Sequence, residues 1–331
     1  MLQINRESER IGVDGKPHTW EWIEREFRKR FKKEIADELD NLIDIELKGR
    51  NDRKHLATLR WCRNGLHRWM VATPVELKAV KEKWDKKYKA LNEDEAFRQK
   101  IKEAFDYKNK RKKLVEVAKW LNVKTCPYCN MQYTLYASAF EDGKLEEMAK
   151  FQFDHFYGQT EYPMLSMSLY NLIPSCASCN QGKSDSVKLD LAFHPYRAAI
   201  KDTFRFRVSD PKRLIMEIDT NDIDIELKSR IPQEKFNEFN NAFHLKTLYR
   251  RHRDVAREVF VKAYLCEYYG YPSNFSFLQD EQLMERIVKG FYPDEDDIDK
   301  RPLTKLEQDL WMQAKGWKGL RRYGKMIEKH T

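Results

Sequence analysis

Residues 170–185, YNLIPSCASCNQGKSD, set two cysteines three apart and follow them at once with Asn180 and Lys183. The chain has six cysteines. Cys126 with Cys129 (C-P-Y-C) and Cys176 with Cys179 (C-A-S-C) form two C-x-x-C pairs. Cys62 and Cys266 stand alone among apolar and aromatic neighbours and are expected as buried thiols. Two such pairs supply four thiolates, enough to close a tetrahedral zinc site. A site closed in this way is structural, because no position is left for water or substrate. The opening residues, MLQINRESERIG, lack the apolar run that directs export, so a cytoplasmic setting is expected. In such a compartment paired cysteines read as metal ligands before disulfides.

The 46 residues between Cys129 and Cys176 exceed what a minimal zinc ribbon needs, so they carry a cargo. It includes FQFDHFYGQTEYPMLSMSLYNLIPS, where Asp154-His155 ends a β-like run and Asn171 follows. Asn180 stands directly behind the last cysteine. On a helix begun at Cys176, Asn180 and Lys183 lie near one face. Successive strand residues point to opposite faces, so Asp154 and His155 share a site only where the chain bends. The residues HFYG permit such a bend.

The rest of the chain predicts mainly helix around a small α+β core. TWEWIEREFRKRFKKEIADEL, from Thr19, has an N-cap residue and Trp20, Ile23, Phe27 and Phe31 at helical spacing. VELKAVKEKWDKKYKAL and EAFRQKIKEAFDYKNKRKKLVEVAKWL continue the pattern with a basic outer face. MQYTLYASAF and AKFQFDHF read as strands with Asp142-Gly143 as the turn between them. Pro163 and Pro174 limit any helix in between. A short helix is expected from Ala177 to about Leu191. TFRFRVSD, RLIMEIDT and DIDIELKS read as strands, and helices resume from Gln233. PDEDDID, residues 293–299, reads as a solvated turn, since it lacks the spacing of a calcium loop. Three segments follow: a basic helical region at 1–120, a module at 121–200 with the cysteine pairs, and an α+β then helical region at 201–331.

Hydrophobic residues at 41% indicate a folded chain, and no apolar run is long enough to suggest a membrane span. The net charge is +9, and it is unevenly placed. Counting Lys, Arg, Asp and Glu gives +9 for 1–120, −2 for 121–200 and +2 for 201–331. A basic flank beside a slightly acidic centre suits a polyanion surface next to a cation site, although solvated basic helices show the same count.

The order D-H, then N, then C-x-x-C-N-x-x-K resembles the HNH endonuclease family over about residues 124–197. The resemblance implies a ββα-metal fold buttressed by the cysteine zinc site, and hydrolysis of phosphodiester bonds in nucleic acid, DNA foremost. It implies His155 as general base, and Asp154 and Asn180 as ligands of a catalytic Mg²⁺ or Mn²⁺. Asn171 would tie down the loop that orients His155. Histidine suits the base role because its pKa lies near neutrality, and hard oxygen donors suit Mg²⁺ or Mn²⁺. Asn180 stands where many relatives have histidine, which implies a harder metal preference. Lys183 would reach a phosphate oxygen. His194, in LAFHPY, matches an H-P-Y element of related HNH proteins that implies an active-site role, while by itself it reads as a packed or capping residue. Histidines 18, 55, 67, 244, 252 and 330 show no ligand pattern.

The longer stretch FDHFYGQTEYPMLSMSLYNLIPSCASCNQGKSD is similar to the PtuB-like HNH subunits of Septu-type anti-phage systems, also found beside some retrons. That likeness implies a bacterial defence effector working with an ABC-type ATPase subunit. The chain has no G-x-x-x-x-G-K-[ST] phosphate loop of its own. RPLTKLEQDLWMQ is similar to the tail of longer bacterial HNH proteins. A competing reading is a catalytically silent zinc-containing module that binds nucleic acid or serves as a scaffold. A zinc hydrolase is excluded on this pattern, since thiolates fill every ligand position.

Overall fold

Thr19 starts a 29-residue helix, its hydroxyl accepting the backbone N–H of Trp22 at 3.2 Å. Such a cap satisfies one of the orphan donors at a helix start. Helix α1 (Trp20–Lys48) buries Trp20, Ile23, Phe27, Phe31, Ile35 and Leu39, one stripe at three- and four-residue spacing. The computed structural model describes residues 4, 9–49, 52–88, 94–141, 144–183, 187–197, 203–216, 223–269 and 281–317. The chain is mainly helical with small antiparallel sheets. Among the described residues no helix is long and apolar enough to cross a membrane.

The residues group into two compact units. One unit holds Gln3–Val123 and Thr134–Ala198, the other Lys124–Tyr133 and Ala199–Thr331. In the first, a two-residue ladder, β1 (Arg10–Ile11) with β2 (Pro17–His18), precedes α1. Four further helices follow: α2 (Arg53–Trp69), α3 (Pro74–Tyr88), α4 (Glu95–Phe105) and α5 (Tyr107–Leu121). Asp52 caps α2, accepting from the N–H groups of Lys54 and His55. Asp106 both ends α4 and starts α5: it adopts the left-handed conformation (φ 47°) while its carboxylate accepts the N–H of Asn109. One short-side-chain residue therefore sets the corner between two helices.

The remaining strands described in this unit come as two antiparallel pairs. β3 (Tyr136–Glu141) pairs with β4 (Lys144–Ala149), opposing Glu141 to Lys144. The expected Asp142-Gly143 turn lies outside the described residues. The expected single strand AKFQFDHF is broken at Lys150–Phe151, so its second half does not join β3. It forms β5 (Gln152–His155), paired with β6 (Leu172–Ser175) through Asp154↔Ile173 and His155↔Leu172. Pro174 fits there because β6 has one partner strand and the prolyl nitrogen need not donate. Between them lie 3₁₀ turns at Pro163–Leu165 and Leu169–Asn171. Helix α6 (Ala177–Lys183) follows β6 directly and ends well short of Leu191, residues 187–190 being non-helical.

In the second unit, β7 (Phe204–Val208) pairs with β8 (Ile225–Ser229) as expected, burying alternate residues Phe204, Phe206 and Val208. RLIMEIDT is not a strand where it is described. Helix α7 (Pro211–Met216) occupies its first half, because Asp210 accepts the N–H of Arg213 and Pro211 sits at the first helical position. Helices α8 (Gln233–Phe243), α9 (Leu245–Tyr249), α10 (Arg253–Tyr269), α11 (Glu281–Lys289) and α12 (Thr304–Gly316) complete the unit. α12 docks on β7 through side chains: Asp309 accepts the N–H of Phe206, and Gln313 bonds both backbone groups of Val208. In the acidic stretch 293–299, Asp294 caps a 3₁₀ turn at Glu295–Asp297. Cys62 is buried as expected, and burial pushes its thiol pKa up. Cys266, expected buried, is only half-buried.

Candidate functional site

Cys126, Cys129, Cys176 and Cys179 are all buried, and their sulfurs lie within 4.8 Å of one another. Four thiolates around zinc at the usual bond length of about 2.3 Å have sulfurs about 3.8 Å apart. The donor set therefore fits zinc in number, softness and spacing, and could hold such a metal. Among the described residues no other group of three or more His, Cys, Asp or Glu side chains is so disposed. The first pair lies on a tight loop: the N–H of Asn130 bonds Cys126 O at 2.8 Å, and Asn130 adopts the left-handed conformation (φ 52°). Its side chain is buried, donating to Thr125 Oγ1 and accepting the N–H of Lys305 at 2.9 Å.

A separate cavity of about 260 Å³ is lined by Asp154, His155 and Asn180, with Gln152, Phe153, Gln159, Tyr107 and Arg111. Asp154 and His155 are adjacent in β5 yet both face it. His155 is the last residue of the strand, so the regular alternation of faces need not hold there. Asn180 comes from α6, where its Nδ2 donates to Gln152 Oε1 at 2.5 Å. That bond leaves the amide oxygen, a hard donor, as the atom that could meet a cation.

His155 Nε2 lies 3.0 Å from Ser166 O. A carbonyl oxygen only accepts, so in the neutral ring Nε2 carries the proton. The ring of Tyr107 meets the imidazole edge-on at 4.5 Å, and the Tyr107 hydroxyl donates to Phe153 O. Burial pushes the Tyr107 hydroxyl pKa up to about 12; nearby Arg111 opposes that rise and Asp154 adds to it. Tyr107 thus stays a neutral donor at physiological pH.

Asn171 is fully buried and does not line the cavity. Its Nδ2 donates to Tyr157 O and Leu165 O, and its Oδ1 accepts the N–H of Tyr157. It therefore joins the two ends of loop 156–165, next to the Ser166 carbonyl that orients His155. Lys183, expected to reach a phosphate oxygen, has its ammonium turned inward. It is 1% exposed, with Nζ 3.2 Å from Asp154 Oδ1 and 2.7 Å from His155 O. Its long side chain turns back under β5 because a buried carboxylate and a strand-end carbonyl both need a donor. His194 also lies in the core, its Nδ1 accepting the N–H of Tyr196 and its ring 4.2 Å from that of Phe156. It is not among the residues lining the cavity.

Sequence reasoning overlooked Tyr107 and Arg111. They sit four apart on α5, so one face of that helix carries both, but in a lysine-rich run this spacing looks like an ordinary solvated face. No family model matches the chain, nor does any curated protein or any solved structure.

Proposed function

We propose that the chain is a metal-dependent endonuclease, hydrolysing phosphodiester bonds in nucleic acid, most plainly DNA, at the cavity of Asp154, His155 and Asn180. One observation carries this reading: a carboxylate, an imidazole of fixed tautomer and an amide oxygen, from β5 and α6, line one cavity. The resemblance of the same residues to the HNH family supports it, with β5, β6 and α6 read as the ββα-metal core and the four cysteines as its zinc buttress.

The chain's own groups divide the work. His155 Nδ1 takes the proton from the attacking water, while Ser166 O holds the Nε2–H and stabilises the imidazolium that forms. Asn171 keeps Ser166 in place through Leu165. Asp154 and Asn180 would hold the Mg²⁺ or Mn²⁺. When bound, that ion supplies charge neutralisation at the phosphate and the leaving oxygen. Lys183 holds the Asp154 carboxylate aligned with the end of β5. The PtuB-like resemblance extends the proposal to a bacterial anti-phage effector working with an ABC-type ATPase, which copurification from the native host would test.

Cleavage of supercoiled plasmid by the purified chain, with and without added Mg²⁺ or Mn²⁺, is the direct test. His155→Ala should lower the rate by about 10²–10⁴-fold with zinc content and circular dichroism unchanged. Near-normal cleavage by that variant defeats the assignment. The second reading, a silent zinc module that binds nucleic acid, draws on the Lys183 ammonium, which already compensates the Asp154 charge. It predicts binding without cleavage under every metal tried.

A further inference from the structure

A phosphodiester entering the cavity needs a cation that can meet it, and Lys183 is not in a position to do so. Its ammonium is buried and shared between Asp154 Oδ1 and His155 O. Withdrawing it would leave a buried carboxylate without its counter-charge. Of the remaining residues lining the cavity, Gln152, Gln159 and Asn180 are neutral amides, Tyr107 is a neutral phenol, and Arg111 carries the positive charge. Arg111 is solvent-exposed, so its guanidinium keeps its reach and stays accessible to an incoming polyanion.

We infer that Arg111 is the phosphate anchor of this site, contributed by α5 from outside the segment that carries the D-H, N and C-x-x-C-N-x-x-K residues. The assignment rests on the proposed nuclease reading and names the residue that seats its substrate. Its position follows from the helix. Tyr107 is fixed twice, by its hydroxyl on Phe153 O and by its ring on His155. Arg111, one turn later, is thereby set at the cavity beside the imidazole. A guanidinium presents paired N–H donors that match two phosphate oxygens, and its charge is independent of pH in the working range. Its neighbours on the basic run behave differently. Lys110 is buried against Asp106 and Glu34, and Lys113 pairs with Glu34. Lys112 is exposed but does not line the cavity.

The comparison of Arg111→Gln with Lys112→Gln tests the inference, since each removes one positive charge from adjacent positions of α5. Binding of the full-length protein to a fluorescent DNA duplex is measured by anisotropy from 50 to 300 mM salt without added divalent metal, beside plasmid cleavage with Mg²⁺. Arg111→Gln should weaken binding about 10-fold or more, the scale of a charge-assisted bond, and lower the salt slope by about 0.9. Arg111→Lys should recover the slope but only part of the affinity. Lys112→Gln should stay within about 2-fold of wild type in affinity, as expected for a surface charge making no contact. Equal behaviour of Arg111→Gln and Lys112→Gln overturns the inference. A wild-type protein that binds DNA but never cleaves it defeats the nuclease reading, while the contrast between the two variants still decides whether Arg111 is the anchor.

Discussion

Asn171→Asp is the smallest change in shape that tests how the candidate site is held together. The wild-type amide makes three buried bonds: Nδ2 to Tyr157 O at 3.1 Å and to Leu165 O at 2.9 Å, and Oδ1 from the Tyr157 N–H at 2.8 Å. Alanine removes all three, at about 1 kcal/mol net for each, or about 3 kcal/mol together. Aspartate keeps the accepting oxygen but turns the donor into a second carboxylate oxygen facing two carbonyls. Two bonds are lost, about 2 kcal/mol, and a charge is buried against acceptors with one donor to satisfy it, which adds several kcal/mol. The isosteric variant should therefore be at least as destabilised as alanine, by about 3 kcal/mol or more. Urea denaturation followed by circular dichroism measures this, with unchanged slope as the check on two-state behaviour. Cleavage should fall in both variants even where they remain folded, because Leu165 adjoins the Ser166 carbonyl that fixes the His155 tautomer. An Asn171→Asp protein within about 1 kcal/mol of wild type would refute the clamp.

Three further outcomes are expected. The chain should bind about one zinc, and Cys176→Ser should lose that metal and much of the folded yield; folded protein free of zinc by elemental analysis would count against the site. Burial pushes the Glu307 carboxyl pKa on α12 up to about 7 from an ordinary 4.5, so its stabilising share is complete below about pH 4.5 and is lost as pH rises through about 7. The full gap corresponds to about 3 kcal/mol, reduced to about 1–2 kcal/mol by partial exposure. Glu307→Gln should therefore be neutral at pH 4.5 and stabilised by that amount at pH 8, and a melting difference independent of pH would contradict it. Finally, reversing the exposed Lys83, Lys86 and Lys87 on α3 should flatten the salt dependence of DNA binding without changing metal content; an unchanged slope returns them to solvated helix surface.

Much of this arrangement was legible because local rules agreed with one another. The Thr19 cap and the Trp20, Ile23, Phe27 and Phe31 stripe define the start of α1 without tertiary information. The alternation in Phe204, Phe206 and Val208 likewise defines β7. The cysteine spacing brought out the four-thiol cluster, since few other roles need four thiols in that pattern. What escaped depended on partners distant in sequence. Lys183 reads as a phosphate-reaching cation, and nothing local shows that Asp154, 29 residues upstream, takes its ammonium. Tyr107 and Arg111 read as part of a basic helix until β5 is placed beside them. RLIMEIDT misled because its alternation resembles a strand, and the short-range signal of Asp210 with Pro211 prevailed over it.

The β5–β6 pair has four residues in each strand, too little to hold a geometry alone, since an isolated two-stranded pair is marginal in water. Its rigidity must therefore come from side-chain bonds to its backbone, three from outside the pair and one, from Ser175, within it. Tyr107 OH bonds Phe153 O, Tyr196 OH bonds Leu172 O, Ser175 Oγ bonds Gln152 O, and Lys183 Nζ bonds His155 O. Each of these donors ends on a backbone carbonyl of the two strands, so the ladder is braced residue by residue. Two of the braces, Tyr107 and Lys183, also touch the imidazole or the carboxylate of the cavity. Scaffold and chemistry are thus carried by the same side chains, and an alanine at either position removes both at once. Conservative changes separate them. Tyr107→Phe deletes one hydrogen bond, at about 1 kcal/mol, and leaves the ring against His155. If the aromatic face is what sets the imidazole, stability should drop in that variant while the pH profile of cleavage stays in place.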